Sequence, residues 1–232
     1  MIELRPFEQL GSDHHGWLNA KHHFSFANYY DPDRMNWGRL LVWNDNIIAP
    51  NSGFPSHPHK DMEIITYVSQ GAITHQDNLG NKGRTVAGDV QVMSAGTGIA
   101  HSEYNLEAGI TKTFQIWIQP DQTGMPPSWG TRPFPSGASA GRFVTLASGM
   151  EGDEDALPIR CNARLVAATL QEGQSTHYAI EHHRKAYLVV AQGSIKLNGK
   201  TLKVGDGAAV RDENLLEFNA LELSEIVMVD VA

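Results

Sequence analysis

A single cysteine, Cys161, among 232 residues excludes an intramolecular disulfide and any thiolate cage for zinc or an iron–sulfur cluster. A metal site in this chain must therefore be built from nitrogen and oxygen. Basic clusters are also missing, the longest being Arg184-Lys185. The first 135 residues hold 9 Lys and Arg against 13 Asp and Glu, the remaining 97 hold the same numbers, and the formal net charge is −8. Neither part carries the dense positive charge with which proteins neutralise nucleic-acid phosphates, so direct DNA or RNA binding is not expected. No run approaches the ~18 apolar residues that span a bilayer. Met1-Ile2-Glu3-Leu4-Arg5 lacks the basic stretch and apolar core of a secretion leader. The expectation is a cytoplasmic protein with no membrane partner.

What is present is a series of short apolar segments rich in β-branched and aromatic residues: Leu40-Leu41-Val42-Trp43, Ile64-Ile65-Thr66-Tyr67-Val68, Val90-Gln91-Val92-Met93 and Phe114-Gln115-Ile116-Trp117-Ile118. They are too short for good helices and are separated by Gly, Asn and Asp, residues that tolerate the positive φ of tight turns. This is an all-β pattern. Leu165 to Leu170, Ala186 to Val190, Ser194 to Leu197 and Glu225 to Asp230 repeat it further on. Between the two series lies a Pro- and Gly-rich stretch, so residues 1–125 are read as an N-terminal domain, 126–141 as a linker and 142–232 as a C-terminal domain.

His57-Pro58-His59 and His101-Ser102-Glu103 carry the chemistry. In an extended strand residues i and i+2 point the same way, so each pair can aim two ligand atoms at one point. Two such strands facing each other supply three imidazole nitrogens and one carboxylate oxygen. A metal that prefers six ligands would keep about two positions open for a reacting molecule. The C-terminal series has the turns but not the ligands. Tyr67-Val68-Ser69-Gln70-Gly71 aligns with Val189-Val190-Ala191-Gln192-Gly193, and counting from these turns puts Ala179 and Glu181 at the positions of His57 and His59. Phe218 and Ala220 fall opposite His101 and Glu103. The C-terminal domain is read as a degenerate copy without a metal.

These residues resemble a known family. His57-Pro58-His59-Lys60-Asp61-Met62-Glu63 is similar to the first cupin motif, and Gly88, Gly96, His101 and Asn105 are similar to the second. More specifically, Trp17-Leu18-Asn19-Ala20-Lys21-His22-His23-Phe24-Ser25-Phe26, Tyr29-Tyr30-Asp31-Pro32, Met93-Ser94-Ala95-Gly96-Thr97-Gly98-Ile99-Ala100-His101-Ser102-Glu103 and Gln115-Ile116-Trp117-Ile118 resemble the pirins. The resemblance covers roughly residues 14 to 120. It implies a bicupin of two antiparallel, jelly-roll-like β-barrels, the first holding one divalent cation, usually iron as Fe(II), through residues matching His57, His59, His101 and Glu103. Other first-row metals would satisfy the same donors. It departs at Ala100, where many relatives have Arg, so an Arg-dependent contact is not carried over.

Some members of the family have quercetin 2,3-dioxygenase activity, which makes the expected partners O2 and a small aromatic substrate such as a flavonol. Others act as metal- and redox-responsive cofactors of transcription, the alternative reading, with a protein partner. Glu103 is also a candidate general base. Glu63, four residues after His59, is expected on the same strand face as a support for a ligand imidazole. The adjacent pairs His22-His23 and His182-His183 face opposite ways on a strand and are read as solvated or structural. Trp17, Phe24, Phe26, Trp37 and Trp43 are read as core or seam. One of the alternating sets Phe114/Ile116/Ile118 and Gln115/Trp117/Gln119 is expected to wall a pocket.

Overall fold

A computed structural model describes residues 1–133 and 141–232. Among them helix is confined to two 3-10 turns, Phe7–Gln9 and Pro32–Arg34. Among the described residues no helix is long and apolar enough to cross a membrane. The chain divides into two compact units. One comprises residues 11–133 with Leu157–Cys161, and the other Met1–Leu10, the described residues of 141–156, and Asn162–Ala232.

Two segments fall elsewhere than the sequence reading put them. Strand β1 (Ile2–Arg5) opens the chain but belongs to the C-terminal unit. There it pairs antiparallel with Gly207–Arg211, and the buried Arg5 guanidinium sits 5.3 Å from the centroid of the Tyr187 ring. Ser128–Arg132, inside the stretch read as a linker, is a strand paired with Val90–Ser94. Residues 134–140 of that stretch lie outside the described residues.

The N-terminal unit contains β2 (Gly11–His14), β3 (Leu18–His22), β4 (Leu40–Ile48), β5 (Ser52–His59), β6 (Glu63–Gln70), β7 (Ala72–Asp77), β8 (Lys82–Val86), β9 (Val90–Ser94), β10 (Ile99–Asn105), β11 (Thr111–Ile118) and β12 (Ser128–Arg132). A large sheet runs β12-β9-β6-β11-β4-β3-β2 and a small one β5-β10-β7-β8. Leu18, Ala20, Ile48, Val68 and Ile73 form one apolar cluster of the unit and Ile64, Met93, Ala95 and Ile99 another. Gly96 makes a close crossing possible: it has φ +48°, and a Cβ there would stand 2.0 Å from the Met125 carbonyl oxygen.

The C-terminal unit contains β13 (Val144–Ser148), while the two-residue β14 (Leu157–Pro158) returns to the N-terminal unit. It continues with β15 (Ala163–Leu170), β16 (Ser175–Ala179), β17 (Lys185–Gln192), β18 (Ser194–Leu197), β19 (Lys200–Lys203), β20 (Gly207–Arg211), β21 (Leu215–Ala220) and β22 (Ser224–Val231). Its small sheet, β16-β21-β18-β19, has the order of β5-β10-β7-β8, and β20-β17-β22-β15 has that of β9-β6-β11-β4. The repeat read from the turns is a repeat of topology. Its interior is apolar, and the register corrects the counted positions: Phe218 faces Leu197 as Glu103 faces His75, so Leu216 and Phe218 stand where His101 and Glu103 do, buried with Leu188, Val190 and Met228.

The architecture is an all-β bicupin, with one correction. Each unit is a pair of facing sheets and not a closed barrel, since the edge strands β5 and β8 form no ladder with β2 or β12. Facing sheets filled with side chains stand about 10 Å apart, twice the roughly 4.8 Å over which ladder hydrogen bonds join strands.

Candidate metal centre

The small sheet of the N-terminal unit positions the imidazoles. Strand β10 lies between β5 and β7, placing His101 directly opposite His57 on one side and Asp77 on the other. His59 is opposite Ile99, and the register shifts between His101 and Glu103, where a bulge re-aims the strand. The ring centroids are 4.8 Å apart for His57 and His59, 4.6 Å for His57 and His101, and 5.0 Å for His59 and His101. One nitrogen from each ring lies within 4.8 Å of the other two. Nitrogens held at about 2.1 Å by a six-coordinate cation are roughly 3 to 4 Å apart, so the trio can hold a divalent cation.

Hydrogen bonds decide which nitrogens are free to ligate. His57 Nδ1 lies 2.8 Å from the Pro55 carbonyl oxygen, which accepts only from N–H, leaving Nε2 of His57 with a bare lone pair. His75 Nε2 lies 3.1 Å from Asp77 Oδ2, and His75 Nδ1 lies 3.4 Å from His101 Nδ1. The proton placement that satisfies both contacts puts one hydrogen on His75 Nε2 and one on His101 Nδ1. His101 Nε2 is then a buried acceptor, and among the described residues it has no partner. An orphaned lone pair on a ring packed beside two other imidazoles is what a metal ligand requires.

The electrostatics agree with that proton count. Burial lowers the pKa of His59 to about 4, helped by neighbouring His57. Burial lowers His101 to about 3, with His57, His59 and His75 adding to it. Both rings are neutral near pH 7 and available to a cation. Asp77 is pulled upward by burial, but hydrogen bonds from Asn81, His75 and Leu79 outweigh this and hold it below the ordinary carboxylate range. It stays an anion and keeps accepting from His75.

Glu103 is fully buried and crosses to the large sheet. Its Oε1 accepts from Thr66 Oγ1 at 3.0 Å and Gln91 Nε2 at 2.6 Å, and Oε2 from Gln115 Nε2 at 2.9 Å. It shares a close group with His101 and His75, not with His57 and His59. The four expected ligands are thus a tight imidazole trio plus a carboxylate alongside, linked through His101. One hydrogen bond on Oε2 leaves that oxygen lone-pair capacity for a cation. Burial raises the Glu103 pKa against the opposing pull of His75 and Thr66.

Glu63 does not support an imidazole. Ser94 Oγ donates to its Oε2 at 2.6 Å, and burial raises its pKa despite Ser94 and Arg160. The supporting role falls to His75, whose ring stacks on Trp129 at 4.8 Å and 10° from parallel. The sequence reading passed over His75, although His75 and Asp77 have the same i, i+2 spacing as His57 and His59.

A cavity of about 420 Å³ opens beside His57 and His59. Trp17, Phe26, Phe54 and Trp117 line it, with Gln115, so the Gln115/Trp117 set is the pocket wall. Trp117 stands edge-on to His59 at 5.0 Å and to Phe26 at 5.5 Å. Phe24 and Trp43 are core, as expected. His22 and His23 are both buried, and His22 is part of the cavity wall. His182 and His183 are exposed.

The chain is similar to known proteins over its whole length. A family profile described as Pirin matches residues 3–118, and one described as Quercetinase C-terminal cupin domain matches residues 145–231. A pirin-like protein of Caulobacter vibrioides is 62% identical over 232 residues, covering 100% of both chains. A protein of Escherichia coli strain K12 named quercetin 2,3-dioxygenase is 40% identical over 233 residues, covering 100% of this chain and 99% of its own. The crystal structure of bacterial pirin YhhW from Escherichia coli in complex with nickel(II) superposes with a TM-score of 0.93 at 38% identity, covering 100% of this chain and 99% of that one.

Proposed function

The chain belongs to the pirin family, and on that premise we propose that it is a metal-dependent dioxygenase that opens the ring of a flavonol such as quercetin with O2. The observation that carries the reading is the aromatic-walled cavity with His57 and His59 in its lining. Pockets of this size and character suit planar organic ligands.

A bound divalent cation, Fe(II) in the first instance, supplies Lewis acidity that favours an ionised substrate hydroxyl and a route for electrons to dioxygen. The protein does the rest. His57 and His101 through Nε2, with the His59 imidazole, would hold the cation, and the Glu103 carboxylate beside His101 would complete the donor set. Glu103 is also the candidate acceptor for the hydroxyl proton, since its burial makes it a stronger base than a surface carboxylate. Gln91, Thr66 and Gln115 keep its oxygens in place when the proton moves. Trp117 and Phe26 clamp the aromatic body and exclude water. A reducing, cytoplasmic setting suits Fe(II).

Anaerobic loading with Fe(II), followed by oxygen uptake and loss of flavonol absorbance, tests the proposal. Turnover that disappears in His59→Ala supports it. No turnover with any first-row metal, together with redox-dependent capture of a protein partner, would instead favour a metal-responsive interaction protein.

A further inference from the structure

The cavity has a polar floor that the metal chemistry leaves unused. His22 and Ala20 lie on β3, and Asn44 and Asn46 on β4, with His22 opposite Asn44 and Ala20 opposite Asn46. All four line the cavity. His22 is 2% exposed and Asn46 3%. His22 Nδ1 donates to Asn44 Oδ1 at 2.8 Å, which leaves Nε2 a bare acceptor, buried and without a partner among the described residues. The Asn46 amide likewise has no side-chain hydrogen bond among the described residues. A buried imidazole nitrogen with unspent capacity is costly unless something fills it, and the Asn46 amide on the same surface has capacity to spare.

The fold does not need polarity there. The counterpart of β4 in the C-terminal unit, β15, gives Val166 and Leu170 to an apolar core. His22 and Asn46 are diagonal neighbours on adjacent strands, roughly 7–8 Å apart in such pairs, so one planar molecule can reach both. The imidazoles come from the small sheet and this floor from the large one, and the Glu103–Gln115 hydrogen bond shows that the two sheets face each other. A ligand in the cavity is therefore offered a cation site on one side and an acceptor with an amide on the other.

We propose that His22 and Asn46, with Asn44 fixing the His22 ring, form a recognition subsite for a second hydroxyl on the aromatic substrate. The bare Nε2 requires a donor, and the Asn46 amide takes either role. The substrate class is thus a planar aromatic bearing one metal-chelating hydroxyl and at least one more hydroxyl away from it. This rests on the flavonol reading above and adds that ring hydroxylation remote from the chelating group is read by the protein.

The test is anaerobic binding to the nickel(II)-loaded full chain, following ligand fluorescence and absorbance. Quercetin is compared with 3-hydroxyflavone, which keeps the chelating hydroxyl and ketone but lacks the remaining hydroxyls. The wild type is expected to prefer quercetin by roughly 10-fold, the size of one or two neutral hydrogen bonds. His22→Phe and, independently, Asn46→Leu should each shrink that preference severalfold. The affinity for 3-hydroxyflavone and the nickel content should stay unchanged, which distinguishes lost recognition from lost folding. Equal wild-type affinity for the two compounds, or a preference that survives both substitutions, overturns the subsite alone. Failure of the wild type to bind either compound overturns the flavonol reading and the subsite with it.

Discussion

Nδ1 of His75 and Nδ1 of His101 lie 3.4 Å apart, two nitrogens that can share only one proton. Because the one ring hydrogen of His75 goes to Asp77 from Nε2, the shared proton belongs to His101, and His101 Nε2 is left bare. Replacing His75 with Leu should lower nickel(II) affinity by about 10- to 100-fold, read by chelator competition on the folded protein. Asp77→Asn should lower it less, because an amide oxygen can still accept. Wild-type affinity in both variants would show that His101 keeps its tautomer without them.

Glu103 provides the next prediction. It is buried with three donors, so removing one leaves charge unsatisfied on an oxygen that cannot reach water. Gln91→Leu should destabilise the protein by about 1–3 kcal/mol, measured as a shift in the urea midpoint. An unchanged midpoint would mean that the Gln91 contact at 2.6 Å carries no net stability.

Asp45 gives a pH dependence whose sign can be stated. Burial raises its pKa from 3.8 to about 6, against the opposing pull of Lys112. A carboxyl whose pKa is higher in the folded state stabilises most below the unfolded value, and that stability is lost as pH rises through the folded one. Asp45→Asn should therefore be more stable than the wild type at pH 7.5, with the difference closing as pH falls from 6 towards 4. A difference that stays constant over that range would contradict the raised pKa.

In the C-terminal unit, Arg184 Nε donates to Asp230 Oδ1 at 2.6 Å with both side chains buried. Asp230→Ala strands a buried guanidinium and should cost about 3–5 kcal/mol. The double variant Arg184→Met, Asp230→Leu should recover much of the loss, since an apolar pair removes both charges together. Thermal unfolding of the two variants checks this, and equal destabilisation would argue against a desolvation cost.

Much of the first unit was legible because strand periodicity is local. A His-x-His and a His-x-Glu announce side chains on one face whatever surrounds them, and the turns around Gly71 and Gly193 exposed the repeat without reference to its packing. Counting from the turns put Phe218 and Ala220 opposite His101 and Glu103, but the connection into β21 is two residues shorter than that into β10, and the register puts Leu216 and Phe218 there. Glu63 shows the limit: alternation assumed one strand running through His59 and Glu63, but the chain turns at Asp61, and Glu63 opens β6 in the other sheet, where Ser94 on the adjacent strand donates to it. His75 had the right spacing to Asp77 on its own strand, yet its importance comes equally from Trp129 and His101, which lie on other stretches of chain.

The amino-acid sequence by itself determined the all-β architecture, the duplicated topology and the imidazoles suited to a cation, because each depends on residue type and on a period of two along a strand. Only the tertiary structure decided which proton His101 carries, how Glu103 is held by Thr66, Gln91 and Gln115, and that His22 and Asn46 floor the cavity. Those outcomes depend on which faces of two sheets meet, a relation between segments distant in the chain that no local period records.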